Sequence, residues 1–331
     1  MRCHTVLFAL DKRIVSRKWQ KTALRQLRRR ECQTMALSYA MLLACTTPVA
    51  FGIIRPLKYS GEFLSTEKVK VMREREGFTL IELLVVIAII ALLLAILMPA
   101  LGRVKKQAKA TACQMNLHHW GLIWSMYTGD HDGYFPDGIR NVDGKQVGHW
   151  LFAAEPYYKD EAIRWCPMAT KPWGQGRNPF IAWEATNVAG GAGFYTSYGI
   201  NNWLYDPAGA ALWGYEAENH WRKIDVAGTD TVPLFLDCFY LGGHPLSTNT
   251  PPDYNGESEN AGPVCMRRFC INRHDGTTNM VFLNFTVRKV GIKELWKLKW
   301  HRQFDTNGPW TKAGGCQPDD WPEWMRSFKD Y

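Results

Sequence analysis

The sequence predicts an α+β protein in which one long N-terminal α-helix packs on a β-rich, loop-rich globular head. Three observations carry this. Residues 78–101 read FTLIELLVVIAIIALLLAILMPAL, with Glu82 as the single charge. Helical periodicity then continues without a break to about residue 127. Beyond residue 129 the apolar runs shorten and Gly, Pro, Asn and Trp become frequent.

The first of these is a span by length. About 20 apolar residues at about 1.5 Å each cross a bilayer's hydrocarbon core, and residues 78–101 suffice. The second rests on spacing. Ala108, Ala112, Met115, Leu122 and Met126 recur at helical intervals, so 102–128 is expected to be the amphipathic half of the same helix. Gly121 should weaken it locally, and Pro99 should kink it. In the third region, 129–331, the runs at 232–239 and 280–285, with Val287 and Val290, read as strands bounded by turns. Residues 292–304 read as the one further helix.

Residues 1–77 form a leader or pro-region. Of the chain's charge of +9, residues 1–76 hold 16 Lys and Arg against 6 Asp and Glu, whereas 77–331 hold 24 against 25. The basic character therefore belongs to the leader, and a nucleic-acid partner for the head has no electrostatic support. A short leader starting near Met72, MREREG, is all that the apolar helix behind it needs, so residues 1–71 are expected to be a misassigned start. Charge alone does not orient the span. Lys58, Lys68, Lys70, Arg73 and Arg75 on one side nearly balance Arg103, Lys105, Lys106 and Lys109 on the other.

Six cysteines lie beyond residue 77: Cys113, Cys166, Cys238, Cys265, Cys270 and Cys316. An even number suits disulfides in an oxidising compartment, and their 15 pairings stay open. With no C-x-x-C and no spaced His pair, a metal is not expected from these residues. Asp130, Asp132 and Asp137 are the calcium candidates, since oxygen ligands two apart suit a hard cation. The closing bidentate Glu is absent, and Asp-Gly turns explain them better. No cofactor is expected. His118 and His119 are adjacent on a helix and do not share a face. His244, His274 and His301 are scattered in sequence. No nucleophile elbow, phosphate loop or H-E-x-x-H is present, so no enzyme is expected. Fourteen of the fifteen Trp lie beyond residue 77. They are read as core for the most part, with stacking on sugars or a partner as the alternative.

The run Gly77-Phe78-Thr79-Leu80-Ile81-Glu82, ahead of an apolar helix bearing Pro99, resembles the processing signal of type IV pilins and type II secretion pseudopilins. The resemblance implies a pilin-like fold and cleavage after Gly77 by a prepilin peptidase, with methylation of Phe78 as the new N-terminus. It implies a cytoplasmic leader and a head outside the inner membrane, on a single-pass anchor that becomes part of a filament. It also implies that Glu82 pairs with the α-amino group of a neighbouring subunit during assembly, a register role known for buried charges. Arg273-His274-Asp275-Gly276 through Phe282-Leu283-Asn284-Phe285 resembles the H-x9-DG segment of pilin-like proteins abundant in planctomycetes and their relatives. Here the terminal Asp-Gly is replaced by Asn284-Phe285, and Phe is not expected at a left-handed position.

The function these residues imply is that of a structural subunit of a type II secretion pseudopilus or type IV pilus-like filament. Its expected partners are the peptidase, other pilin-like subunits, the membrane and a secreted cargo. The rival is an inner-membrane-anchored glycan- or protein-binding protein that uses the helix only as an anchor. A third reading, a tethered hydrolase, would need clustered His and carboxylates in a cleft.

Overall fold

The structure, a computed structural model, describes residues 78–171, 178–186, 188–257 and 265–331. The leader, Gly77 included, lies outside the described residues. Helix α1, Leu80–Asp130, is a single element of 51 residues that runs on through Pro99 and Gly121, about 75 Å at about 1.5 Å per residue. Side chains from Leu80 to Lys109 are exposed all round. From Ala110 onward one face is buried, through Cys113, Leu117, Trp120, Gly121, Trp124, Tyr127 and Thr128.

This buried face is not the expected one. Ala112, Met115, Leu122 and Met126 are exposed, and Ala108 with them. The amphipathic half carries two apolar stripes. The stripe of aromatic, small and thiol side chains goes inward because it offers larger flat surfaces and closer approach. The aliphatic stripe is left outside.

The head is built on a five-stranded sheet. Strands β1 (Trp183–Glu184) and β2 (Tyr195–Thr196) form a small hairpin, as do β4 (Ala211–Leu212) and β5 (Tyr215–Glu216). The main sheet takes β3 (Tyr198–Asn201), β6 (Pro233–Asp237), β7 (Gly242–Gly243), β8 (Thr277–Phe282) and β9 (Val287–Gly291) in the order β7-β3-β6-β8-β9. The β3–β7 pair is parallel and the others antiparallel. The buried half of α1 packs across β6, β8 and β9. The expected strand at 232–239 is β6. The run at 280–285 is instead the end of β8 and the turn into β9.

That turn contradicts one expectation. Phe285 has φ 64°. Its N–H donates to Phe282 O (2.8 Å), Phe282 N–H donates to Thr286 O (2.9 Å), and the Asn284 carboxamide oxygen accepts from Thr286 N–H and Oγ1. The cost of a left-handed Phe is met by packing, because its ring belongs to the margin of the core. The neighbour is Gly121, where a Cβ would lie 3.1 Å from Val281 Cγ2 and 3.7 Å from Phe285 Cβ. The glycine thus admits the hairpin against the helix. Gly121→Leu is expected to destabilise the head by about 1–3 kcal/mol through overpacking, as read from the urea midpoint.

The helix expected at 292–304 is a six-residue 3-10 turn, Ile292–Lys297, succeeded by irregular chain. Its tryptophans are fixed by the core instead. Trp296 Nε1 donates to Asn249 O and Trp300 Nε1 to Leu295 O. Trp120, Trp150, Trp203 and Trp221 likewise donate their indole N–H to backbone carbonyls of distant loops. Buried Trp thereby gives these carbonyls an indole donor inside the core. Trp213 differs, being 45% exposed with φ 51°.

Candidate functional site

Two places in the fold gather chemistry. The first is the start of α1. Thr79 is the N-cap, and its Oγ1 accepts from Glu82 N–H at 3.3 Å. Glu82 Oε2 in turn accepts from Thr79 N–H and Thr79 Oγ1, each at 2.8 Å. This is a capping box, with the carboxylate also at the positive end of the helix dipole. The Thr79-x-x-Glu82 spacing is the sequence signal for it, whereas the resemblance to pilins points Glu82 only toward a neighbouring subunit. Phe78, one residue outside the cap, is 70% exposed.

The second place lies under the sheet end of α1. Cys113 comes from the buried face of the helix. Cys166 comes just after the 3-10 turn Glu161–Arg164, and its N–H is held by Ser197 Oγ at 2.6 Å. Asp237 closes β6 opposite Tyr198. His274 precedes β8 and is set by the left-handed pair Asp275 (φ 51°) and Gly276 (φ 80°), with Gly276 N–H on Asn272 Oδ1.

These four side chains are buried, and their ligand atoms all lie within 4.8 Å of one another. Cys166 Sγ is 3.3 Å from His274 Nε2, and His274 Nε2 is 3.1 Å from Asp237 Oδ2. Cys113 Sγ is 3.6 Å from Asp237 Oδ2 and receives the Tyr198 hydroxyl at 3.2 Å.

Arg273 is wholly buried beside them. It donates to Asp237 Oδ1 at 3.1 Å and to the carbonyls of Ser197, Ile181 and Cys238, while Asn279 N–H donates to Asp237 Oδ2. Burial by itself would raise the Asp237 carboxyl, but His274, Arg273 and Asn279 bring it down to about 2. For His274, burial opposes protonation, yet Asp237 and then Cys166 carry it up to about 10. Burial would likewise raise the Cys166 thiol, but Cys113, His274 and Arg273 bring it to about 7.

Sequence spacing conceals this cluster because its members come from four separate elements. His274 belongs to the H-x9-DG-like segment, and the structure places it here, away from Asn284 and Phe285 in the hairpin turn. The other histidines go elsewhere: His220, His244 and His301 ring Trp203 at centroid distances of 5.0, 4.9 and 4.5 Å. Asp130, Asp132 and Asp137 do not converge. Asp130 accepts from the Tyr157 hydroxyl, and Asp137 caps the N–H groups of Ile139 and Arg140. No disulfide joins the six described cysteines.

Residues 72–98 match the prokaryotic N-terminal methylation motif. Over 63 residues the chain is 46% identical to the type IV wide pilus major component PilA4 of Thermus thermophilus, a stretch covering 19% of this chain and 48% of that protein. The chain thus spans about half the length of this curated relative. No solved structure matches it.

Proposed function

We propose that this chain, type IV pilin-like in its N-terminal segment, is a processed structural subunit of a type IV pilus or pseudopilus. One observation carries the reading: the methylation motif stands at the head of a helix whose first half is apolar and exposed all round, while its second half is seated in the head. A membrane satisfies such a half-helix in the precursor. Neighbouring helices satisfy it in a filament, replacing lipid contacts as subunits leave the bilayer. The exposed stripe of Met115, Leu122 and Met126 continues the same apolar surface toward the head. The mechanism is mechanical rather than catalytic. The prepilin peptidase cuts after Gly77 and Phe78 is methylated, with the leader cytoplasmic and the head beyond the inner membrane. Glu82 exchanges its contact with Thr79 for the α-amino group of a neighbour. Export of a cargo by a type II secretion pseudopilus, and membership of the H-x9-DG group through His274 to Phe285, are the narrower forms of this proposal.

The test is N-terminal sequencing and intact mass of protein from cells with and without the peptidase. The expected mature chain begins at methylated Phe78, and Gly77→Lys abolishes the cut. Glu82→Leu is expected to leave the cut intact and abolish filaments. A chain that stays uncut in the wild type would overturn the proposal. The anchored-receptor reading would then lead, on one feature of the head. This is a groove of about 610 Å³ lined by Trp213, Tyr215, Tyr240, His244, Gln146 and Arg268, in which the half-exposed Trp213 offers a face to a sugar or a partner.

A further inference from the structure

We propose that Cys113, Cys166, Asp237 and His274 bind one zinc ion, through two thiolates, a carboxylate oxygen and the imidazole Nε2, as a structural tie between helix α1 and the sheet. Two Cys, one His and one carboxylate around a single point form a four-coordinate sulfur–nitrogen–oxygen set that suits zinc. With bonds of about 2.3 Å to sulfur and about 2.0–2.1 Å to nitrogen and oxygen, tetrahedral ligands sit roughly 3.3–3.8 Å apart. The distances at 3.1, 3.3 and 3.6 Å already lie at or near those edges.

One nitrogen in the cluster is also crowded. Cys166 Sγ and Asp237 Oδ2 both approach Nε2 of His274. A ring nitrogen holds at most one hydrogen, so hydrogen bonding serves the two contacts poorly together. A cation placed among the three atoms serves all of them. The same feature argues against a Cys-His-Asp nucleophile. There the acid would hold the ring nitrogen opposite the one that faces the thiol, whereas both partners meet Nε2 here, in a buried place.

A zinc ion with two thiolates and one carboxylate carries a net −1, and the buried guanidinium of Arg273 on Asp237 neutralises it, as burial of charge demands. The ligands are also aimed from outside: Asp237 by Arg273 and Asn279 N–H, Cys166 by Ser197 Oγ on its own N–H, and Cys113 by the Tyr198 hydroxyl. Such outer partners are what fix metal ligands in place. Binding releases to solvent the protons of the two thiols and any proton at Nε2, and no group changes oxidation state.

The experiment uses the full chain in mild detergent, purified untagged and without chelator. Metal analysis is expected to find one zinc per chain retained through gel filtration. Cys166→Ser and His274→Gln should weaken zinc binding by more than the roughly 10–100-fold that loss of an outer partner costs. Should those variants fail to fold, cobalt exchange into the wild type decides. A thiolate-to-cobalt band in the near ultraviolet, with the visible bands of four-coordinate cobalt, is expected. Two results would overturn the proposal: a metal-free chain whose peptide map shows Cys113 linked to Cys166 by a disulfide, or free thiols that bind neither zinc nor cobalt.

Discussion

Arg273→Met is expected to lower the stability of the head by about 3–5 kcal/mol, the usual loss when one partner of a buried ion pair is removed. The side chain is completely enclosed and bridges several segments of the head. Its guanidinium donates to Pro179 O and Ile181 O on the approach to β1, to Ser197 O before β3, and to Asp237 and Cys238 at the end of β6. Met preserves most of the aliphatic volume, so the loss would report the charge and the hydrogen bonds rather than a cavity. Four carbonyls would be left without this donor, and Asp237 would keep His274 as its one charged neighbour. The check is the urea midpoint of the variant against wild type. A double variant, Arg273→Met with Asp237→Leu, should recover part of the loss, because it removes the orphaned carboxylate. A loss under about 1 kcal/mol in the single variant would show that the pair holds little together.

How far the sequence reveals this molecule depends on the range of each interaction. The apolar segment and the Gly77–Glu82 motif are legible because every part of each signal lies within one short stretch of sequence. The capping box at Thr79 and Glu82 is equally local, and it is masked only because the same Glu82 carries the intermolecular role that the pilin resemblance implies. Periodicity shows that residues 102–128 are helical but not which stripe turns inward. Met115, Leu122 and Met126 are as apolar as Leu117 and Ile123, and only the shape of the sheet, with Val281 and Phe285 against Gly121, selects the other face. Residues 292–304 mislead for a related reason. Leu295, Trp296, Leu298 and Trp300 are all buried, yet two of them are anchored by indole hydrogen bonds in a chain that is not α-helical. Positions 113, 166, 237 and 274 have no spacing rule at all. What joins them is tertiary structure, together with one buried arginine beside His274.

Acidification from pH 7 to pH 5 is expected to cost the head several kcal/mol, and the cause is a set of histidines kept neutral by the fold. Burial lowers His149 to about 3, and lowers His220 and His301 to about 4, the last two helped by Arg222 and by Lys299. Hydrogen bonds agree with neutral rings. His149 Nδ1 accepts from Leu151 N–H, and His301 Nδ1 accepts from Gln303 N–H, so a proton at either nitrogen would remove a bond. In the unfolded chain each ring titrates near about 6.5. Between that value and about 4 the unfolded state therefore binds more protons than the native state. Stability then falls as pH falls, and it is fully present above pH 7. Each ring can contribute at most roughly 2 kcal/mol over this interval. Urea midpoints at pH 7.5, 6 and 5 would measure the slope, and His301→Gln should reduce it by about a quarter while leaving its sign, because burial holds His244 down as well. Equal midpoints at pH 7.5 and pH 5 would mean that these buried rings accept protons without leaving the native state, and that burial does not keep them neutral.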